Sequence, residues 1–319
     1  MPEPQQLHID VGLTNLSIRY KNDDLIWKDV MPIVKVGKRS DEYWVYNKAD
    51  SYTIADDTIG PKSLPNEYDW GVVAEPYHVT DRALSTWVPQ EDVDNADAPL
   101  QPMVDSNDFL NLLLDLAQES RVAQTVFNTS NYSASNILTL TSANQWDTGT
   151  TPNPIENILG AIEACFMRAN TVVMGADLWA VFRQLPAILD AVKSPSRFQN
   201  TPGGVATVEE MKGLFDIPNW LVGRARYNTA GYGLTASYAR LWGSSYCAVL
   251  HVNPHPGIKT ITWGLTFAET LRLTYHDFDG RRGVKGAHFL KTAWNQDQVI
   301  IAPDVGYLFV NPISATPTW

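Results

Sequence analysis

Apolar positions recur at spacings of three and four between Ser106 and Phe127, where Phe109, Leu112, Leu113, Leu116, Ala123 and Phe127 form one stripe. This periodicity predicts a helix about 33 Å long, at ~1.5 Å per residue, with Asp105 or Ser106 capping its first turn. Leu110 and Leu114 widen the apolar face, which predicts cover on both sides. A second stripe (Ile155, Ile158, Leu159, Ile162, Cys165, Phe166, Ala169) follows Asn153-Pro154-Ile155-Glu156, a helix start with an Asn cap, Pro at the first position and Glu reaching back. Thr171–Met174 reads as a short buried strand ended by Gly175. Asp177 is placed to cap the next helix, with Leu178, Trp179, Phe182 and Leu185 inward, and Pro186 restarts a helix through Val192. Thr207-Val208-Glu209-Glu210 is a second capping box, and its helix ends near Asp216-Ile217-Pro218.

Elsewhere the pattern is extended. Ile33–Ser51 and Tyr68–Val73 carry strand residues and flank the polar stretch Tyr52–Glu67, which holds Gly60-Pro61 and Pro65. Together they predict a long two-stranded arm with an irregular tip. An isolated hairpin is marginal in water, so such an arm needs a surface to lie on. Val88–Met103 is acidic and loop-like, Asn128–Pro152 is a polar loop with room for one hairpin, and Lys193–Ala206 is a loop. From Trp220 the pattern is mainly β: Trp220–Tyr227, Ala239–Val252, Lys259–Phe267, Thr270–His276, Lys285–Asn295, Val299–Ala302 and Gly306–Val310, with Asp277-Phe278-Asp279-Gly280 as a turn. Residues 1–25 are polar apart from Leu13–Tyr20 and read as an extended arm. The order of arm, hairpin, long helix, compact αβα block and strands is α+β, not alternating βαβ.

Composition narrows the function. With 319 residues and 44% hydrophobic content the chain has material for a real core. No apolar run reaches the ~20 residues needed to span a bilayer, and Met1-Pro2-Glu3-Pro4 has no secretory signal character. A net charge of −11 argues against tight sequence-independent grip on nucleic acid, but not against enclosing it. Cys165 and Cys247, one in a helical and one in a strand pattern, read as free buried thiols.

Catalytic motifs are missing: there is no Walker loop, Rossmann glycine fingerprint, His-Glu-x-x-His or Gly-x-Ser-x-Gly. His251-Val-Asn-Pro-His255 has suggestive metal spacing, but Pro254 and Pro256 oppose the helix it needs. The Asp277–Gly280 stretch fails as a calcium loop because the closing Glu position is His288. His276 with Asp277 and Asp279 lacks a partnered nucleophile, and Glu91–Asp97 reads as an acidic linker. The competing enzyme reading is a hydrolase or metal-dependent enzyme using His251, His255 or His276–Asp279. No catalytic, cofactor or metal residue is expected. Among the 11 tryptophans, Trp27, Trp44, Trp70, Trp87 and Trp146 lie outside periodic stripes. They fit either an interface or loops folded back on their own core.

The ordered set of Leu13–Ile18, Asp29-Val30-Met31-Pro32-Ile33-Val34-Lys35-Val36, Ser40–Tyr46, Val93–Leu100, Ala169–Gly175 leading to Trp179, and Ile301–Leu308 resembles the major capsid proteins of tailed bacteriophages over nearly the whole chain. The resemblance implies a Hong Kong 97-like fold. On it, residues 1–35 look like the N-terminal arm and 36–87 like the extended β-hairpin loop that lies over a neighbouring subunit. Residues 88–152 look like the peripheral domain with its spine helix, 153–255 like the axial domain, and 256–319 like the return strands of the peripheral domain. It implies a virion shell of pentamers and hexamers, formed in the host cytoplasm and enclosing double-stranded DNA without sequence-specific binding. A separate scaffolding protein, a portal and a cement protein are the implied partners. The subunit-contact candidates are Trp44, Tyr46, Lys48, Lys62, Tyr68 and Trp70. Some members join neighbours by a Lys–Asn isopeptide bond, for which Lys48 and Lys62 are the donors this likeness offers. Neither the acceptor Asn nor the assisting Glu is identifiable. The same fold builds encapsulin compartments.

Overall fold

The computed structural model describes residues 22, 25–97, 99–192, 204–231, 233–257 and 260–314. The arm expected over 1–25, with its Leu13–Tyr20 patch, and most of the 193–206 loop lie outside the described residues. The chain enters through the one-turn helix α1 (Trp27–Val30), then β1 (Ile33–Lys35), β2 (Ser40–Tyr46), α2 (Lys48–Ser51), β3 (Val72–His78) and β4 (Thr80–Pro89). Short α3 (Gln90–Asp94) precedes the long helix α4 (Pro102–Val126). Next come β5 (Ile137–Thr139), α5 (Pro154–Ala164), β6 (Thr171–Gly175), α6 (Ala176–Phe182), α7 (Pro186–Val192) and α8 (Val208–Phe215). Strands β7 (Asn219–Gly223), β8 (Arg226–Asn228), β9 (Tyr238–Arg240) and β10 (Tyr246–Leu250) follow. The last four are β11 (Gly264–Ala268), β12 (Leu273–Asp279), β13 (Ala287–Ile300) and β14 (Gly306–Val310).

Two five-stranded sheets carry the core. The first is built on β13, which pairs with β12, with β4 from Ala287↔Pro89 to Gln296↔Thr80, and with β11, which in turn pairs with β1. The second runs β5-β14-β10-β6-β7. All five residues of β6 are buried because both faces are covered. Val172 and Met174 enter a core with α5, α6, α7 and α8, while Val173, on the opposite pleat, joins Trp242, Trp263 and the long helix. No helix among the described residues is long and apolar enough to cross a membrane.

The long helix starts at Pro102 rather than Ser106, and neither Asp105 nor Ser106 caps it. Asp105 instead accepts the Gln101 N–H at 3.0 Å. Its buried face is Leu110, Leu114, Gln118, Val122 and Val126, a strict spacing of four, with Glu119 and Ala123 beside it. Phe109 and Leu113 of the predicted stripe are exposed. The residues expected only to widen the apolar face are the ones that meet β4, β13 and α1.

Glu119 is fully buried on this helix. Its carboxylate accepts the backbone N–H of Ile26 at 3.1 Å and of Trp27 at 2.9 Å, and the Trp242 indole N–H at 2.5 Å. The first two are free donors at the start of α1, so Glu119 caps that helix from across the molecule. Trp242 is seated by glycines. A Cβ at Gly223 would lie 2.2 Å from the Trp242 ring, and one at Gly175 would lie 1.8 Å from the Gly243 carbonyl oxygen. These two glycines face each other in the β6–β7 pairing.

Other expectations need correction. Asn153 precedes α5 but its side chain makes no cap bond, and Leu159 and Phe166 are exposed. Gly175, not Asp177, precedes α6; Asp177 accepts from Arg240 Nε at 2.7 Å. Asn128–Pro152 holds two 3₁₀ turns and β5, which runs parallel to β14, rather than a hairpin. Asp277–Asp279 belong to β12, and the turn falls at 280–286, where Gly283 (φ 63°) and Gly286 (φ 90°) supply left-handed backbone. The second arm strand begins at Val72 rather than Tyr68, and β4 occupies residues read as the arm's end. The segments expected at Lys285–Asn295 and Val299–Ala302 are largely one strand, β13. The α7 and α8 predictions hold, including the reciprocal Thr207–Glu210 capping box.

Glu119→Ala orphans three buried donors, and a loss of about 3 kcal/mol or more in unfolding free energy is expected, read from the urea midpoint. Burial holds the Glu119 carboxyl above the ordinary glutamate value, although the Trp242, Ile26 and Trp27 donors pull it down. The folded state therefore binds this proton more tightly than the unfolded state. That contribution is present at low pH and is lost as pH rises from the ordinary glutamate value through the raised one. Stability measured against pH should lose this component in Glu119→Gln. Gly223→Ala, which drives a methyl into the Trp242 ring, should cost about 1–3 kcal/mol in the same assay.

Candidate assembly surface

β2 and β3 pair antiparallel from Ser40↔His78 to Tyr46↔Val72 and form a sheet of their own. The root of this hairpin is packed: Tyr77, Val79, Leu265 and Phe267 form a small core that takes in Val34, Val36 and Tyr43. Beyond Tyr46 the arm is held by polar bonds. Asn47 caps α2 through its side chain, accepting from the Ala49 N–H at 3.1 Å. Asp50 accepts the Gly71 N–H at 2.8 Å, and the Asn47 N–H donates to the Gly71 carbonyl at 3.0 Å. At the tip, the Tyr68 hydroxyl accepts the Asp56 N–H at 2.9 Å and Asn66 donates to the Asp56 carbonyl at 2.8 Å. The irregular tip is thus shaped by side chains bonding to backbone, as expected of a segment without a ladder.

The contact candidates divide into two groups. Trp44 (66% exposed), Trp70 (67%), Tyr46 and Tyr68 lie open to solvent, and Tyr46 stacks on Trp70 at 5.6 Å. Ile54, Ile59 and Leu64 extend the exposed apolar surface along the tip, where Lys62 is also exposed. Lys48 is different. Its Nζ sits 2.5 Å from Asp304 Oδ2 and 3.6 Å from the centre of the Phe166 ring. Tyr52 meets the same Phe166 edge-on at 4.8 Å. Tyr52, Phe166 and Asp304 form a clasp between α2 and the chain's own body that sequence reasoning missed. The only hint was Phe166 at the end of a stripe that its helix does not reach. Trp27 and Trp146 are buried in the core, so for those two the loops fold back.

The first sheet has an outer face. By register Leu273, Ala293 and Ala83 lie together, as do Tyr275, Lys291 and Ser85, then Asp277, Phe289 and Trp87. Leu273 and Tyr275 are more than half exposed. Trp87 and Phe289 pack at 4.9 Å, with the Arg282 guanidinium 3.7 Å over the Trp87 ring. A shallow depression of about 650 Å³ opens beside them, lined by Asp277, Asp279 and Arg281 among others.

The histidines make ordinary contacts. His251 Nδ1 lies 2.9 Å from the Arg168 carbonyl, and the His255 N–H donates to Asn253. His276 Nε2 meets His288 Nδ1 at 2.9 Å, and His288 Nε2 meets Gln90 Oε1 at 2.7 Å. No group of three His, Cys, Asp or Glu side chains is placed to hold a metal among the described residues. Cys165 and Cys247 are free and buried. Burial pushes the Cys165 thiol up to about 12 and raises that of Cys247 further, so neither supplies a thiolate near neutral pH.

No protein-family model matches the chain. It is 30% identical over 309 residues to the major capsid protein of Pseudomonas phage JBD67, across 96% of this chain and 98% of that one. Its fold is similar to a phage-related protein from Bordetella bronchiseptica RB50 (TM-score 0.68, 19% identity, 92% of this chain and 93% of that one). It is also similar to the capsid of cyanophage P-SCSP1u (0.60, 9% identity, 92% and 90%) and to the SrpI encapsulin of Synechococcus elongatus PCC 7942 (0.54, 9% identity, 96% and 93%). Matched to a capsid relative along almost its whole length and sharing the Hong Kong 97-like fold, the chain belongs to the phage major capsid proteins, which are structural proteins and not enzymes.

Proposed function

We propose that copies of this chain close into an icosahedral shell around double-stranded DNA, as pentamers and hexamers, with the β2–β3 hairpin and its tip of each copy laid over its neighbour. The observation that carries this reading is the arm's exposed aromatic surface, Trp44, Tyr46, Tyr68 and Trp70, on a hairpin that pairs with no other strand among the described residues. Large rings are strong contact residues because they bury much area with few rotors to freeze. The surface we assign to receive it is the outer face of β12, β13 and β4. Charge supports the pairing. Residues 41–70 carry seven carboxylates against two lysines, whereas residues 273–291 carry four Lys and Arg against two aspartates. Opposite fields steer the encounter and disfavour arm-on-arm contacts.

In this scheme residues 88–152 and 256–319 form the peripheral domain, with the long helix as its spine, and residues 153–255 form the axial domain around the symmetry axes. Of the expected N-terminal arm, residues 26–35 pack into the body as α1 and β1. A net charge of −11 keeps the subunit from gripping the DNA it encloses. Assembly takes place in the host cytoplasm with a separate scaffolding protein and a portal, and a cement protein covers the finished shell. The capsid relative at 30% identity favours this reading over an encapsulin compartment. Lys62 is the exposed lysine suited to a covalent bond with a neighbour, because Lys48 is engaged by Asp304 and Phe166.

Light scattering and negative-stain microscopy of the purified chain at rising concentration should show shells, or rings of five and six. Deleting Tyr52–Glu67 should abolish those particles while the far-UV spectrum and thermal transition of the subunit persist. Normal shells from the deletion variant would refute the role given to the arm. Double substitution of Trp44 and Trp70 by Ala should raise the concentration needed for assembly by tenfold or more, at about 1–2 kcal/mol per lost anchor.

A further inference from the structure

The inner face of the first sheet carries a polar layer that the capsid reading does not use. Arg82 lies opposite Trp294 and Thr80 opposite Gln296 in the β4–β13 register. Alternation along β13 puts Trp294, Gln296 and Gln298 on one face. Trp294 is buried in the core shared with the long helix, so this face looks at the helix. From the helix, Gln118 and Arg121 enter the same layer, with the Arg121 guanidinium donating to Gln118 Oε1.

Donors in this layer outnumber acceptors. Arg82 Nε, Arg121 Nε, Gln118 Nε2 and Gln298 Nε2 are all buried without a hydrogen-bond partner, against the acceptor Gln296 Oε1. Gln118 is completely buried. Neither arginine forms an ion pair among the described residues, and the carboxylates nearby are engaged elsewhere. Asp81 pairs with Arg39, Asp115 with Arg272, and Glu119 holds its three donors. Two guanidiniums without an ion-pair partner among the described residues therefore share a partly desolvated layer. Burial, then repulsion from Arg82, lowers the Arg121 pKa to about 10. A cleft of about 320 Å³ opens onto this layer, lined by Arg121, Thr125, Asn131, Asp297 and Gln298 among others. The Asp297 carboxylate is turned to the His78 N–H at 3.1 Å.

Water fills missing hydrogen bonds in buried polar layers, but it brings no charge. A small anion does both, and guanidinium forks match the oxygens of a tetrahedral oxyanion. We propose that this cleft between the long helix and β13 binds one small oxyanion of the inorganic phosphate class, held by Arg121 and the Gln298 amide, with the Arg82 charge behind the lining. The cleft admits an ion of that size and not a duplex, so the source is the free ion rather than packaged DNA. The proposal is independent of how subunits assemble.

Titration calorimetry of the full chain with inorganic phosphate, at ionic strength fixed with sodium chloride, tests it. Saturable heat with one phosphate per chain is expected. Arg121→Gln should weaken binding by about tenfold or more, and Arg82→Gln, which removes a charge behind the lining, should weaken it less. Asp297→Asn removes the one carboxylate in the lining yet can still accept from His78, and should tighten binding. Arg281→Gln, on the exposed hairpin, should leave it unchanged. If an arginine variant fails to fold, the Asp297 and Arg281 variants carry the comparison. No saturable heat with the wild-type chain, an equal affinity in all variants, or a response to a short DNA duplex with none to phosphate would overturn the site.

Discussion

A single buried carboxylate ties together parts of this protein that are far apart in sequence. Glu119 sits on the long helix that backs one sheet. It holds the indole of Trp242, which is wedged between the ends of β6 and β7 in the other, and it caps the short helix through which the chain enters the body. The cost of burying this group is offset in part by donors that are each fixed in place. The fixing is itself structural. Gly223 leaves room for the indole and Gly175 for the Trp242–Gly243 backbone, and Phe127 closes against the indole edge-on at 5.3 Å. Both sheets, the long helix and the short helix Trp27–Val30 thus share one geometry.

That rigid body makes sense of the arm. A two-stranded hairpin with four open aromatic rings cannot stabilise itself well in water, yet its root is packed and its first turn is clasped by Asp304 and Phe166. The arm is therefore aimed rather than loose, and a surface aimed away from its own core is an invitation to a partner. In the proposed shell each copy both offers an arm and receives one, so modest contacts add up. An acidic chain suits the task, since a container that bound its contents tightly would hinder their packing and release.

Much of this was legible in the residues. The Thr207–Glu210 capping box, the Pro186–Val192 helix and the buried Thr171–Gly175 strand are local signals that tertiary packing had no reason to override. The long helix was visible but its orientation was not. Apolar residues surround much of it, so periodicity alone could not choose the Leu110–Val126 row over the Phe109–Leu116 row; the sheet chose. β4 escaped notice because Asp81, Arg82, Ser85 and Thr86 look like surface, although β13 pairs with all of them. Glu119 gave no sign of burial, since a glutamate on a helix is ordinarily solvated and its three donors come from residues 26, 27 and 242. The exposed arm tryptophans were readable as interface or core, and only the fold separated Trp44 and Trp70 from Trp27 and Trp146.

The most direct test of the account is a cryo-electron-microscopy reconstruction of the assembled particle at side-chain detail. The account predicts Trp44 and Trp70 of one subunit seated against the Trp87, Phe289 and Tyr275 face of another, with the Glu119–Trp242 bond intact in every copy. A shell in which the arm rings remain in solvent, or in which that sheet face is bare, would contradict it.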